Sequence, residues 1–503
     1  MIKKFQNSDK YTKYSALVIV LFSIIVLALT SVYHVSGDGC WHASTSRFMA
    51  ENKNIPLHEP LGRNEPFWSP PLYHFVAAFV YSVFSLFSHD AANSAIKFIS
   101  QIFGILSLIV SFLLIKKLYN SKIAFYSTIF LAFVPIFIDY SILSYVESML
   151  TFFVVLSIYF LVKDKIWLSG IAAGLASLTK YNGLFILPVL FFIIYKKHGM
   201  KKKLFYNSFF LVIPVLAIAG PWLVRNWLVL GNPIWPFLNV LFDGYHVQTY
   251  AGLTESIRWG SLFSPDVLIL FYLGIFGVPD GNYSAFSFLN IPFLGFALAI
   301  WLIGTIIFIL PLIRGLFNFR RIKSNSKNVF IAWIVSYIVL MIIYIINASP
   351  STSRIILPAF PALALFWAFG LIKLTEYKSV KLFLPKILAL IVIGFIFTLA
   401  FKAALAAGSW GAYQDDFEWV KANTPKGSVF IANGQCVPYN IERASLYAEN
   451  GNFEKADYIW VNQKFVLDKR SIYGEKTLDS ITKNYNIAYS NPKTGTTIYE
   501  IKH

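Results

Sequence analysis

Charge is scarce in this chain. Of 503 residues only 14% are Asp, Glu, Lys or Arg, against roughly 25% in an average soluble protein, which excludes an ordinary water-soluble surface. Cysteine is scarcer. Cys40 and Cys436 are the two present, too few for a disulfide-built scaffold or a cysteine-rich metal centre. Sidedness permits them to pair, but nothing in the sequence shows their separation, and the question stays open. Acidic residues number 25 against 43 Lys and Arg, a formal net charge of +18. Such a balance can signal nucleic acid, yet the basic residues do not gather on one soluble stretch. They fall in short clusters between apolar runs, which is how membrane proteins mark their cytoplasmic loops, so nucleic acid is not an expected partner. Internal repeats and low-complexity segments are also missing, which counts against the duplicated halves of many transporters.

What the chain has in excess is apolar. Hydrophobic residues make up 57% and aromatics 18%, with 48 Phe, a composition suited to lipid-facing and interfacial surfaces. Apolar runs of spanning or near-spanning length lie near 14–33, 92–115, 122–139, 144–162, 166–180, 182–195, 204–222, 288–313, 329–346, 355–372 and 383–406. Lysines precede the first run as in a signal peptide. That run is long enough to span and no small-residue cleavage site follows, so it reads as an uncleaved helix. The basic loops at 116–122, 163–165, 196–203, 314–327 and 373–386, with the N-terminus, hold 23 of the 43 Lys and Arg and are expected in the cytoplasm.

Counting 71–88 as a span would put the 116–122 lysines outside and invert most later loops. It reads instead as a helix on or dipping into the outer leaflet, with Pro70-Pro71 at its start. Residues 266–279 read in the same way, as interfacial or re-entrant. The expectation is a polytopic α-helical membrane protein over 1–406. It has about 11 transmembrane helices, interfacial helices in the first outer loop, the N-terminus cytoplasmic and the C-terminus outside. After residue 406 the composition shifts to dense charge and β-type runs at 428–431, 458–461 and 497–501, with a helix-like stretch at 415–423. Residues 407–503 therefore read as a small extracytoplasmic α/β domain.

This sidedness gathers polar residues on the outer face. Asp38 stands between Gly37 and Gly39, five positions past the first apolar run, in a loop with His42, His58, Glu59 and Glu65. Asp139 and Glu147 flank the next outer turn, Lys180 the one after it, and Arg225 and Arg354 follow further on. The ordered series Gly37-Asp38-Gly39, Pro70-Pro71-Leu72-Tyr73-His74, Leu178-Thr179-Lys180-Tyr181, Pro221-Trp222 with Arg225-Asn226, Gly231-Asn232-Pro233 and Ser353-Arg354 with Leu357-Pro358 resembles the GT-C glycosyltransferases. The likeness is to the branch of protein O-mannosyltransferases and aminoarabinose transferases, and it covers most of 14–406. It implies an enzyme of the cell membrane whose donor is a sugar on a polyprenyl phosphate, with an acidic residue in the first outer loop as base or metal ligand. A divalent metal is compatible with that family, but Gly39 stands where its motif often has a second acid, and Ile355 where an aromatic follows the late Arg.

The chemistry fits the residue types. Transfer from a lipid phosphate needs a base for the acceptor hydroxyl and cations for the departing phosphate. Asp38 and Glu147 are the catalytic candidates, and Lys180, Arg225 and Arg354 the phosphate-binding ones. His42, Glu65, His74 and Tyr181 are candidates for substrate contact. Each has a plainer reading. Asp38 could cap a helix beginning near Trp41 and Glu147 one beginning at 144. Lys180 could snorkel to headgroups, and Arg225 could anchor at an interface among Trp222, Trp227 and Trp235. Rival functions are a transporter or flippase of lipid-linked sugars and a membrane scaffold. An oligosaccharyltransferase is disfavoured because its Trp-Trp-Asp-Tyr-Gly run is absent. The expected partners are the lipid-linked donor, membrane lipid and a hydroxyl acceptor on a glycan, lipid or protein.

Overall fold

The computed structural model describes residues 8–62, 65–247, 259–264, 308–318, 327–346, 353–377, 410–432, 434–448, 452–462 and 483–501, with isolated residues between 275 and 396. Among them, five helices are long and apolar enough to cross a membrane: Lys10–Val32, His89–Leu118, Lys202–Leu230, Lys327–Ile346 and Ser353–Leu374. A further apolar pair, Ser121–Phe133 and Pro135–Ile142, meets at 61°, the bend of a broken span or of a re-entrant loop. The break follows from Pro135, which disfavours helical backbone at Val134 (ψ 124°) yet suits the first position of the next helix.

The runs at 144–162, 166–180 and 182–195 form shorter helices, Glu147–Val162, Ile166–Thr179 and Leu187–His198. Lys180 adopts extended backbone and a 3-10 turn over Tyr181–Ile186 separates the last two. The expected segment 266–279 and most of the expected spans 288–313 and 383–406 lie outside the described residues. Only a helix over Phe308–Phe317 is described there at any length. One boundary is corrected. The run expected to end at 222 continues as a helix to Leu230 despite Pro214 and Pro221, and stops at Gly231, whose φ of +68° suits a helix terminus. Proline removes single hydrogen bonds, and within a packed apolar bundle a helix tolerates that loss. Neighbouring Ile166–Thr179 lies very close against it. A Cβ on Gly170 would collide with the Leu211 carbonyl oxygen, and Gly174 faces Pro214 and Val215 one turn on. This small-x3-small spacing brings two backbones together where lipid offers no hydrophobic drive.

After the first span the chain turns sharply at Gly37 (φ +54°), where a Cβ would lie 2.5 Å from the Tyr145 hydroxyl. Only glycine fits both the backbone and the contact. Helix Asp38–Asn52 begins at once, three residues before the expected start near Trp41, and packs against Leu72–Phe84. At about 1.5 Å per residue neither of these two helices reaches the roughly 30 Å of a bilayer core. Leu72–Phe84 and the turn after it leave Phe75, Phe79, Leu86 and Phe87 exposed.

The C-terminal part forms a five-stranded sheet in the order β2-β1-β3-β5-β4. Its strands are β1 Val429–Ile431, β2 Ala444–Leu446, β3 Tyr458–Asn462, β4 Asn486–Asn491 and β5 Thr496–Glu500. β1 runs parallel to β2 and β3, while β5 is antiparallel to both β3 and β4. Helices Gln414–Asn423 and Cys436–Ile441 cover it through Phe417, Val420, Val437, Trp460 and Ile498. The sheet is docked on the first loop. Cys40 and Cys436 are joined by a disulfide, Arg47 pairs with Glu442 at 3.4 Å, and the Ser445 amide donates to the Leu61 carbonyl at 2.7 Å. Cys40, Phe67, Tyr73, Trp222, Cys436 and Tyr439 share one buried cluster, so loop, bundle and sheet have a common core.

Candidate functional site

One cavity of about 250 Å³ collects most of the residues singled out in the sequence. It is lined by Asp38, His42, Glu65, Glu147, Lys180, Tyr181 and Arg354 from that set, and also by Trp41, Glu59, Trp68, Asn182, Phe237, Tyr344 and Gln435. Four separate stretches of chain supply its paired charges. Asp38 opens helix Asp38–Asn52, where its backbone N–H donates to the Tyr145 hydroxyl at 3.1 Å. Glu147 opens the next helix. Lys180 sits at the extended break after Thr179, and Arg354 in the 3-10 turn Ser353–Ala359.

Each cation meets a carboxylate. Arg354 Nη1 donates to Asp38 Oδ2 at 2.7 Å, and Lys180 Nζ to Glu147 Oε1 at 2.7 Å. The pairs differ in burial. Asp38 keeps 43% of its side chain exposed and Arg354 25%, whereas Glu147 keeps 2% and Lys180 22%. The second Glu147 oxygen, Oε2, is buried with no hydrogen-bond partner among the described residues. Burial alone would raise the Asp38 carboxyl, but Arg354 beside it, with smaller contributions from His42 and Lys180, holds it below the ordinary carboxylate range.

His42 lies one helical turn after Asp38 and so faces the same side. Its Nδ1 is 2.9 Å from His74 Nε2, and both rings are buried among Trp41, Phe67 and Tyr73. Burial drives the His42 imidazole down to about 4, against the pull of Asp38 and Glu147. Both histidines are thus neutral at pH 7, sharing one N–H between them. The unfolded chain takes up a proton on His42 below its ordinary 6.5, while the folded chain resists until about 4. Stability in detergent is therefore expected to fall as pH drops through that window, by about 3 kcal/mol at 1.36 per unit. His42→Gln should flatten the curve, as read by the unfolding midpoint against pH. An unchanged slope would mean that the histidine pair does not carry this dependence.

Two expected site residues stand apart from the cavity lining. His74 is behind His42 and reaches the cavity only through it. Arg225 is inside the extended helix, stacked 4.8 Å over Trp222, and its guanidinium donates to the carbonyls of Phe67 (2.7 Å) and Pro56 (3.3 Å). It braces the strap that folds back on itself through the His58–Pro66 bridge and carries Glu59 and Glu65. Tyr181 presents its ring, stacked on Trp68 at 6.3 Å, while its hydroxyl is held by Trp222, Asn226 and the Trp68 carbonyl.

The donor set does not fit a divalent cation as arranged. Among the described residues no three His, Cys, Asp or Glu side chains converge, and the half-exposed Asp38 carboxylate is already engaged by a guanidinium. What the cavity does offer is a solvent-reachable carboxylate, two cations within reach of an anion, and an aromatic wall.

Sequence reasoning missed Trp41, Trp68, Asn182, Phe237, Tyr344 and Gln435. Aromatics and amides next to apolar runs look like interface anchors, and only the fold separates one use from the other. Tyr344 reaches the site by donating its hydroxyl to Asn182 at 3.1 Å, across 162 residues.

Comparison with known proteins follows this geometry. Residues 68–224 match the family described as dolichyl-phosphate-mannose-protein mannosyltransferase. An uncharacterized protein of Aquifex aeolicus is 25% identical over 227 residues, and the match covers 42% of this chain and 44% of that one. The chain thus aligns with less than half the length of that curated relative. Among solved structures, ArnT from Cupriavidus metallidurans bound to undecaprenyl phosphate matches with a TM-score of 0.65 at 12% identity, covering 97% of this chain and 98% of that one. The Archaeoglobus fulgidus oligosaccharyltransferase AglB, in complex with an inhibitory peptide and a dolichol-phosphate, matches at 0.56 and 15% identity, covering 98% and 75%. The chain thus shares the fold of these ArnT and AglB structures over 97–98% of its length.

Proposed function

We propose that the chain is an integral-membrane glycosyltransferase that moves a sugar from a polyprenyl-phosphate donor to a hydroxyl acceptor on the extracytoplasmic side. The observation that carries this reading is the half-exposed Asp38 carboxylate facing Arg354 in the cavity that also holds Lys180. The lipid-bound ArnT and AglB structures add support from the fold. Asp38 takes the acceptor proton as the acceptor oxygen bonds to the anomeric carbon. The bond from that carbon to the phosphate oxygen breaks, and Lys180 and Arg354 hold the departing polyprenyl phosphate. A single displacement of this kind inverts the anomeric centre.

Arg354 links donor to base. While it sits on Asp38 the carboxylate is a weak base. A lipid phosphate competes for the guanidinium, and as Arg354 turns towards it Asp38 regains basicity with the donor in place. Glu147 holds Lys180 beside the phosphate, and Arg225 acts by fixing the loop rather than by touching the donor. Trp68, Tyr181, Phe237 and Tyr344 suit the apolar face of a sugar ring or the first isoprene unit.

Orientation is part of the proposal. Basic loops support an N-terminus inside, and the Cys40–Cys436 bond supports an oxidising compartment for the first loop and the C-terminal sheet. The exposed apolar side chains of Leu72–Phe84 and its following turn support a position in the outer leaflet of the cell membrane. The test is transfer of radiolabelled sugar in membranes supplied with a panel of polyprenyl-phosphate sugars. Label is expected in an acceptor fraction for at least one donor. Label that crosses sealed vesicles while still lipid-linked, with none transferred, would replace this reading by lipid-sugar transport.

A further inference from the structure

The cavity has one wall that does not come from the helix bundle. Gln435, in the C-terminal part, lines it together with Asp38. Three features fix this residue in place. Its chain neighbour Cys436 is bonded to Cys40, two residues after Asp38 on the same helix. The Cys436 sulfur lies 3.8 Å from the Gly37 carbonyl, at the turn that aims Asp38. Around the bond, Arg47 stacks 5.4 Å over Tyr439 and pairs with Glu442, which His89 also contacts at 2.8 Å. The segment that begins at Gln435 is thus held against the helix of Asp38 by a covalent bond and by side-chain contacts further along.

Gln435 also carries an unmet demand. Its Oε1 is buried without a hydrogen-bond partner among the described residues. A buried amide oxygen left unpaired is costly, so such atoms are normally satisfied by some donor. On the glycosyl-transfer reading above, the bundle-side cations and aromatics hold the lipid-linked donor, which leaves the C-terminal wall for the other reactant.

We propose that Gln435 positions the acceptor, its amide oxygen accepting a hydrogen bond from a second hydroxyl of the molecule whose reacting hydroxyl meets Asp38. The acceptor class is then a polyhydroxylated one, such as a glycan or a glycolipid headgroup, rather than an isolated alcohol. This rests on the glycosyl-transfer reading above. It adds a residue that acts on acceptor selection and not on donor binding.

The experiment uses the full-length protein in detergent, with Gln435→Met, which keeps the length of the side chain and removes the acceptor atom. Gln435→Ser, which opens space without apolar bulk, serves as the second variant should the first fold poorly. The expected result is a rise of roughly 5- to 10-fold in acceptor KM, as loss of one neutral hydrogen bond implies. Little change is expected in kcat, in polyprenyl-phosphate affinity or in unfolding midpoint. An acceptor KM equal to wild type in a variant with normal unfolding overturns the assignment. So does a rise matched by equal loss of polyprenyl-phosphate affinity, which would move Gln435 to the donor. Absence of transfer by wild type across the donor panel is a different failure. It removes the glycosyl-transfer reading, and the Gln435 assignment falls with it.

Discussion

Asp38→Asn is expected to lower turnover by about 100-fold or more, the scale of a lost general base, while the protein folds and binds donor. The amide still accepts from Arg354, and Asp38 sits in the first turn of its helix, where removing a negative charge costs about 0.3–1 kcal/mol. A sharper result follows from the ion pair. With the carboxylate neutralised, Arg354 no longer has a charged competitor at 2.7 Å, so affinity for polyprenyl phosphate should hold or rise as turnover falls. Donor titration alongside single-turnover transfer checks both. Near-normal turnover in Asp38→Asn would remove it as the base. A fall in donor affinity would mean that the two residues act on the phosphate together.

Lys180→Gln has two consequences that a second substitution separates. The first is on donor binding. A hydrogen bond to a charged group contributes about 1.5–3 kcal/mol, so polyprenyl-phosphate affinity should fall by roughly 10- to 150-fold. The second is on folding, because Glu147 is 2% exposed and its partner would be gone. Removing one member of a buried pair costs about 3–5 kcal/mol, and since Lys180 is partly exposed the low end applies. In Lys180→Gln with Glu147→Gln the stranded charge is removed as well. Thermal stability should recover while donor affinity stays low. If the double variant recovers donor affinity too, Lys180 serves the fold and the phosphate site lies elsewhere.

What the sequence made legible follows from what each residue needs locally. Apolar runs and basic clusters are local, and they marked most of the helices described. The β-type runs near 428, 458 and 497 stand as strands, while β2, of three residues, and β4 passed unnoticed because each is half-polar. Asp38, Glu147, Lys180 and Arg354 were legible because a charge at the end of an apolar run demands a reason. Their pairing was not. Arg354 was expected to meet a phosphate, and its bond to Asp38 is a contact across 316 residues that no local pattern encodes. Arg225 shows the reverse. Its aromatic surroundings suggested an interfacial anchor and its charge a phosphate ligand; it binds the carbonyls of Phe67 and Pro56, and backbone carbonyls carry no sequence signature.

The bond between Cys40 and Cys436 closes a span of 396 residues, and this sets an order of events during synthesis. At about 5–20 residues per second, the helix bearing Asp38 exists for roughly 20–80 s before its partner cysteine is made. Through that interval the helix of Asp38 lacks its disulfide and the cavity lacks the wall that Gln435 supplies. A ribosome-bound or prematurely terminated chain therefore inserts its helices without completing a site. Under the function proposed above, a chain stopped before Cys436 is expected to show no transfer even when its helices are inserted.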